Sequence, residues 1–141
     1  FLSWEFRPTD LYYFATPSIL PGKRGMFSNE LYNLYSLFYL STFHNLISFW
    51  TKKDLFKYFY PSSVYVDEMP ENMIEYSLSK LSGENMCSAI MRNNIKIKIF
   101  KPRLPRLETD QTVSILPVNN NDTVEHILKY LRKYDSFTKT I

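Results

Sequence analysis

Residues 92–106 read RNNIKIKIFKPRLPR, and this stretch carries the clearest regular pattern in the chain. Ile95, Ile97 and Ile99 alternate with lysines, which predicts a β-strand, because successive side chains of a strand point to opposite faces. One face of this strand is apolar and the other is largely basic. A proline-containing segment follows, and residues 112–116 have the composition of a second strand.

Upstream of this strand, the chain predicts a shorter strand and a helix. Val64 and Val66 occupy alternate positions, which suits a short strand. Pro70 is favourable at a first helical position, and the acidic residues around it suit the positive end of a helix. The apolar face of that helix is predicted at helical spacing: Ile74, Leu78 and Leu81. Residues 123–134 predict a further helix. This order over residues 61–141 is typical of an α+β domain with a small antiparallel sheet.

Residues 1–60 are predicted to form an N-terminal extension for protein contacts. Prolines and aromatic residues in the segment 1–26 predict an extended arm. That arm lies either on a partner protein or on its own domain. Ser28 is a suitable N-cap for an aromatic-rich helix over residues 29–50, and Thr51 for a further short helix.

The segment 31–50 has about the length that crosses a bilayer, yet seven of its side chains are polar Asn, Ser, Thr or His. Polar side chains are costly in lipid unless they find partners. We therefore predict a helix that is buried against protein, and membrane contact is the less favoured alternative.

The composition indicates a compartment and excludes some kinds of site. The chain has 11 Tyr, 11 Phe and 3 Gly among 141 residues, a bias typical of AT-rich genes, which occur in several protist mitochondrial genomes and also in some nuclear and viral genomes. This favours a protein of the mitochondrial matrix, and organelle encoding would explain the bias. The single cysteine, Cys87, excludes an internal disulfide framework and a cysteine-based zinc site. A net charge of +3 is too small to indicate nucleic-acid binding, so the local distribution of charge decides.

Residues 92–106 also form the most informative charge cluster, because they contain six cations and no acidic residue. A phosphate backbone binds to such a surface, since each cation displaces a condensed counterion. The prolines stiffen the following loop, and its asparagine amides suit sugars and base edges. The predicted RNA-binding residues are Arg92, Lys96, Lys98, Lys101, Arg103, Leu104, Pro105, Arg106, Asn119, Asn120 and Asn121. The alternative is a solvated strand face with a flexible loop.

No combination of residues predicts catalysis. His44 and His126 are far apart, and neither has a metal-ligand pattern nearby. Cys87 lies in an apolar stretch and is expected to be buried. The PGKRG turn at 21–25 lacks the spacing of a phosphate-binding loop. We predict that the protein is not an enzyme and has no metal, cofactor or small-molecule substrate.

The region after the basic strand contains a short motif. Its residues are Leu104, Pro105, Thr112, Val113, Ile115, Pro117, Asn120 and Asp122. In this spacing they resemble the proline-rich turn, the strand and the asparagine-containing loop of the tenth small-subunit ribosomal protein family of bacteria and organelles. The resemblance covers about residues 63–135. It departs from the family where a strand should follow the asparagine loop, because residues 123–134 predict a helix.

The resemblance implies a ferredoxin-like fold whose central strands extend into a long loop. Leu104, Pro105 and Asn120 would be loop contacts, and Val113 would support the strand. The expected function is that of a structural constituent of the small subunit of a mitochondrial ribosome, with rRNA and neighbouring ribosomal proteins as partners. Two alternatives stay open: a structural accessory subunit of a respiratory-chain complex, and a ubiquitin-like interaction module.

Overall fold

The computed structural model describes residues 8–105 and 120–139, where short strands alternate with long helices. In chain order the elements are β1 (Leu11–Tyr12), α1 (Asn29–Ser36), a π-helical segment (Leu37–Thr42), α2 (Phe43–Thr51), β2 (Lys57–Phe59), β3 (Ser62–Ser63), α3 (Tyr65–Glu68), α4 (Ile74–Asn93), β4 (Lys98–Phe100), β5 (Arg103–Leu104) and α5 (Asn120–Lys139). The fold is α+β, as predicted.

The strands pair in parallel, so the prediction of an antiparallel, ferredoxin-like sheet is wrong. The main sheet has the order β1–β2–β4, and both of its pairings are parallel. Parallel neighbours need a long crossover connection, which is usually helical. Here the α1–α2 region connects β1 to β2, and α4 lies between β2 and β4 in the chain. The helices predicted from the sequence are therefore the crossovers that make parallel pairing possible.

From Tyr58 to Tyr60, the end of the central strand β2 and the residue after it are buried on both faces, while Lys57 at its start is half-buried. Tyr58 and Tyr60 are 0% exposed and Phe59 is 1% exposed. The ring of Phe43 in α2 packs against Tyr58 and Tyr60, whereas Tyr134 in α5 packs against Phe59 on the other side. A strand covered on both faces is apolar without alternation. Because residues 57–60 lack the alternation that identifies a strand, the sequence predicted a short helix after Thr51. That prediction is wrong, since β2 lies there.

Two prolines interrupt a longer parallel pairing. Beyond β2 and β4, the Tyr60 amide donates to the Phe100 carbonyl at 2.8 Å, and the Ser62 amide to the Pro102 carbonyl at 2.8 Å. Pro61 has no amide hydrogen to contribute, so β3 and β5 form a separate two-stranded pair in the same direction. This pairing ends at residue 64. The predicted strand over Val64 and Val66 is therefore wrong, since residues 65–68 form the helical turn α3.

The N-terminal helix and the C-terminal helix are confirmed. Ser28 caps α1 with a side-chain oxygen that accepts from the Leu31 amide at 3.3 Å. The helical backbone then continues through the π-helical segment and α2 to Thr51. The helix predicted over residues 123–134 lies within α5.

The long helix α4 buries a different face from the one predicted. Ile74, Leu78 and Leu81 are only half-buried. The buried positions are mostly polar, small or aromatic: Glu75, Tyr76, Ser77, Ser79, Lys80, Gly83, Glu84 and Cys87. The predicted apolar face of this helix is therefore wrong, and its interior side chains need hydrogen-bond partners.

The arm packs on the chain's own domain in its described part, which is the second of the two alternatives. Leu11 and Tyr12 form an edge strand, and the Tyr13 hydroxyl donates to the Phe38 carbonyl at 2.6 Å. Further along, the Gly22 amide donates to the Asn72 carbonyl at 2.7 Å. Strands from both sides of the predicted boundary near residue 60 share one sheet and one core.

Candidate nucleic-acid interface

Four of the predicted basic residues lie at or near the surface around β4. Arg92 in the last turn of α4 and Lys96 before β4 are exposed, while Lys98 and Lys101 are half-buried. The predicted alternation holds only in part: Ile97 and Ile99 are buried and the lysines beside them are not, but Ile95 is 81% exposed and lies in the turn before β4. Lys96 and Lys98 therefore lie on the side of β4 away from the Ile97 and Ile99 core, whereas Lys101 has the parity of Ile97 and Ile99 and its charge acts on Glu84 and Cys87 of α4.

Arg103 forms ion pairs with two acidic side chains of the same chain. Its guanidinium donates two hydrogen bonds of 2.8 Å to the carboxylate of Glu84 and a third to Asp67. The other partner of Glu84 is the hydroxyl of Ser62 at 2.6 Å. Burial alone would raise the pKa of Glu84, but the hydrogen bonds from Arg103 and Ser62 hold it below its ordinary value. Arg103 thus ties β5 to α4 and α3, and we assign it to the fold instead of to an RNA surface.

The remaining predicted residues are distributed as follows. Leu104 and Pro105 are half-buried at the end of β5. Arg106 and Asn119 lie outside the described residues, as do the strand and motif positions over 112–117. Asn120 and Asn121 form the first turn of α5.

The parallel pairing brings lysines from the N-terminal half next to the basic segment. Lys57 in β2 is the register partner of Lys98 in β4, and the Lys98 amide donates to the Phe56 carbonyl at 2.7 Å. Register partners point to the same face, so the two lysines are neighbours there. Lys52 and Lys53 follow directly after α2. These lysines were not predicted as part of the basic surface, because β2 itself was not predicted. The three lysines in the run TKKDLFK at 51–57 are the sequence feature that could have indicated them.

A groove of about 310 Å³ lies between α2, the end of α4 and the start of β4. It is lined by His44, Ile47, Ser48, Thr51, Lys52, Ile90 and Ile97. The segments that contribute these residues, 31–53 and 85–107, contain no Asp or Glu anywhere along their length. An acid-free groove with an isoleucine floor and adjacent cations is suited to an anionic ligand that also has apolar surface.

The described residues contain no cluster of three His, Cys, Asp or Glu side chains that could hold a metal ion. The thiol of Cys87 is buried, and burial raises its pKa to about 12, so it is protonated at neutral pH. A nucleophilic cysteine needs the opposite shift. Across residues 8–105 and 120–139, no helix has both the length and the apolar character required to cross a bilayer.

Comparison with known proteins gives no relative: no family model, no curated protein and no solved structure matches the chain.

The assignment of Arg103 to the fold gives a first prediction. Arg103→Gln should lower the free energy of unfolding by about 2–3 kcal/mol, because it leaves the buried Glu84 carboxylate without its charged partner. Arg24→Gln is the control, since Arg24 and Glu71 pair with side chains 82% and 66% exposed, and such a pair contributes at most about 1 kcal/mol. Urea denaturation measures both variants. If both variants lose the same small amount of unfolding free energy, the ion pairs of Arg103 do not stabilise the fold.

Proposed function

We propose that this chain is a non-enzymatic structural constituent of the small subunit of the mitochondrial ribosome and contacts rRNA through the basic end of its sheet. The observation that carries the RNA contact is the register pairing of Lys57 with Lys98. Like charges on directly paired positions destabilise a sheet. A polyanion bound across the two lysines offsets their repulsion, because each ammonium group is then attracted to a phosphate.

The surroundings of this lysine pair support the same partner. Lys96 and Arg92 are exposed on one side, and Lys52 and Lys53 follow α2. Between Glu84 and Glu108 the chain contains no acidic residue. Among the described residues, several cations therefore lie on or next to the paired strands β2 and β4, with Asp54 as the one acid in the run 51–57, although the net charge of the chain is only +3.

The assignment to the ribosome rests on the short motif from Leu104 to Asp122 and on the AT-rich composition. The composition also supports the mitochondrial matrix as the location. Neighbouring ribosomal proteins would be further partners, and no small-molecule substrate or cofactor enters this role. The parallel strand order departs from the family's sheet, so the proposal draws on the motif and the charge and not on the fold.

A second candidate is a structural accessory subunit of a respiratory-chain complex. The outer surface of the N-terminal helix favours it, because Leu34, Leu37 and Phe49 are 39%, 54% and 51% exposed there. Exposed apolar side chains on a helix are typical of a protein interface. To separate the two candidates, a tagged chain is purified from mitochondrial extracts and sedimented with and without ribonuclease. A ribosomal constituent shifts to lighter fractions after ribonuclease, whereas a respiratory subunit does not.

The lysine pair gives a second prediction. Lys57→Gln together with Lys98→Gln should weaken binding to a single-stranded RNA about tenfold or more, because two charge-assisted phosphate contacts are lost. The slope of log affinity against log salt should become shallower by about 1.4, since each phosphate contact on single-stranded RNA contributes about 0.7. The loss of affinity is therefore largest at low salt.

The matched control is Lys23→Gln. Lys23 is exposed, and its neighbour Gly22 is bonded to Asn72 just before α4 begins. Ile90, at the far end of α4, is about 24 Å away from Ile74 along the helix axis. Lys23→Gln should leave both the affinity and the salt slope unchanged. An unaltered slope in the double variant would show that the Lys57–Lys98 face does not meet phosphate.

A further inference from the structure

We propose that the groove between α2, α4 and β4 binds an unpaired nucleotide of the RNA, with its base over the isoleucine floor and its phosphate at Lys52. This inference rests on the proposed RNA contact and specifies its chemistry. It concerns the groove and not the Lys57–Lys98 face, so the two parts can be tested separately.

The floor of the groove suits the face of a base. Ile90 is half-buried, while Ile47 and Ile97 are buried with 3% and 5% of their surface exposed, and all three line the groove. A base has a flat apolar face that is excluded from water when it lies on such a surface. In a duplex this face is stacked on neighbouring base pairs, and it is free only in a single strand or loop. The groove therefore favours unpaired RNA over a helix.

The rim of the groove suits the polar parts of a nucleotide. His44 and Ser48 lie on successive turns of α2 and offer hydrogen-bonding groups, and Lys52 follows one turn later. The spacing of four residues places all three on one side of the helix. With a phosphate at Lys52, the side chains of Ser48 and His44 lie along the same side of the helix and can hydrogen-bond a sugar or a base edge. The groove thus combines one cation with neutral polar partners, as nucleotide binding requires.

Two aromatic rings that carry cations outside the groove favour RNA over an acidic peptide. Phe49 in α2 does not line the groove; it is 51% exposed, and the ammonium of Lys53 lies 4.9 Å from the centroid of its ring. Near β4, the ammonium of Lys96 lies 5.9 Å from the centroid of the Phe56 ring. Aromatic rings interleaved with cations are typical of single-strand binding surfaces, because bases stack on the rings and phosphates pair with the cations. An acidic peptide has the charge but lacks the rings to stack.

The experiment measures the fluorescence anisotropy of two labelled oligomers, an oligouridylate of eight nucleotides and an abasic oligomer of the same length. The two have the same phosphates, and only the first has bases. Wild type should bind the oligouridylate about fivefold or more tightly than the abasic strand, since base contacts add to phosphate contacts. Ser48→Phe fills the groove without changing the charge, and it should abolish this preference while leaving the salt slope intact. Lys52→Gln should weaken binding of both strands and lower the slope by about 0.7.

Two controls accompany these variants. Ser18→Phe adds the same side chain at an exposed position of the arm that does not line the groove, and the base preference should persist. Thermal unfolding checks that Ser48→Phe is folded. If it is not, His44→Ala carries the test, because His44 is exposed and lines the groove, and its loss should lower the preference for the oligouridylate without changing the salt slope.

The outcomes separate the two proposals. If wild type binds neither strand, the proposed RNA contact fails and the groove inference fails with it. If wild type binds both strands equally, or if Ser48→Phe keeps the base preference, only the groove inference is overturned. Displacement of the oligouridylate from the groove by an eight-residue polyglutamate peptide would identify an acidic protein partner instead. Saturation by uridine monophosphate at the same concentration as the oligomer would identify a free nucleotide as the ligand, and would likewise overturn the inference.

Discussion

Gly83→Ala should destabilise the protein by about 2 kcal/mol or more, although alanine is the better helix former. A Cβ atom at position 83 would lie 2.0 Å from the hydroxyl oxygen of Tyr60 and 2.8 Å from its Cζ. Tyr60 is 0% exposed, so its ring has no free space into which to move. The gain in helix propensity of about 1 kcal/mol is smaller than the cost of displacing a buried ring.

The cause of this loss can be tested by a double variant. Tyr60→Phe removes the hydroxyl that would lie closest to the new methyl group. It also removes a hydrogen bond of 3.3 Å to the Tyr39 carbonyl. We expect the combined variant to be more stable than the sum of the two single losses by about 1 kcal/mol, as measured by urea denaturation. Asn85→Ala, at an exposed position of the same helix, is the control and should change the stability by less than about 0.5 kcal/mol. Normal stability of Gly83→Ala would contradict the close packing of α4 on Tyr60.

The free energy of unfolding should rise by about 2–3 kcal/mol between pH 7 and pH 9, because of one buried lysine. Lys80 in α4 is 6% exposed, and its ammonium donates to the Pro61 carbonyl at 2.7 Å. It lies 3.8 Å from the centroid of the Tyr39 ring, and Tyr60 and Tyr76 are also near. Burial lowers the pKa of Lys80 to about 7, despite the opposing influence of the Glu84 carboxylate.

The direction of this pH dependence follows from proton counting. Between about pH 7 and the ordinary lysine pKa of 10.5, the unfolded chain holds the proton that folded Lys80 has lost. Raising the pH through this window therefore favours the folded state. At higher pH the effect reverses, because burial raises the pKa of Tyr76 and Cys87 to about 12 each, and the unfolded chain then loses those protons first. Stability should be greatest near pH 9–10.

Lys80→Met isolates the contribution of this residue. The variant keeps a side chain of similar length without a charge, so the rise between pH 7 and pH 9 should disappear. Lys23→Met, at an exposed position, should keep the rise. Chemical denaturation at pH 7, 8 and 9 measures all three proteins. A wild-type protein whose stability is flat over this range would show that Lys80 is solvated in the folded state.

Local sequence signals predicted the first and last long helices, but they also predicted a helix after Thr51 that does not form and missed the helical turn α3. The Ser28 cap, the helical run that begins after it and the amphipathic C-terminal segment all form as expected. These predictions depend on spacing within one turn or on a single capping residue, and both are local properties. The alternation of Ile97 and Ile99 with lysines was also predicted from the sequence, because the strand has one face against the core and a more exposed opposite face.

The candidate site was predicted only in part. Arg92, Lys96 and Lys98 were named from their sequence, but Lys57 became part of the surface only through its pairing with Lys98. Arg103 belonged to the same basic stretch, yet its position opposite Glu84 directs its charge inward. Formal charge in a sequence does not indicate whether a partner in space has already neutralised it.

The sequence by itself determined the class of this protein: helices with short strands, a single cysteine without a disulfide partner, and a basic segment free of acids. Only the tertiary structure decided the parallel direction of the strands, the polar interior face of α4 and the groove at the basic end. The physical reason is that a strand covered on both sides lacks alternation, and a buried lysine or glutamate is tolerated only where distant residues complete its hydrogen bonds. Such partners, like Pro61 for Lys80 and Arg103 for Glu84, come together only when the chain folds.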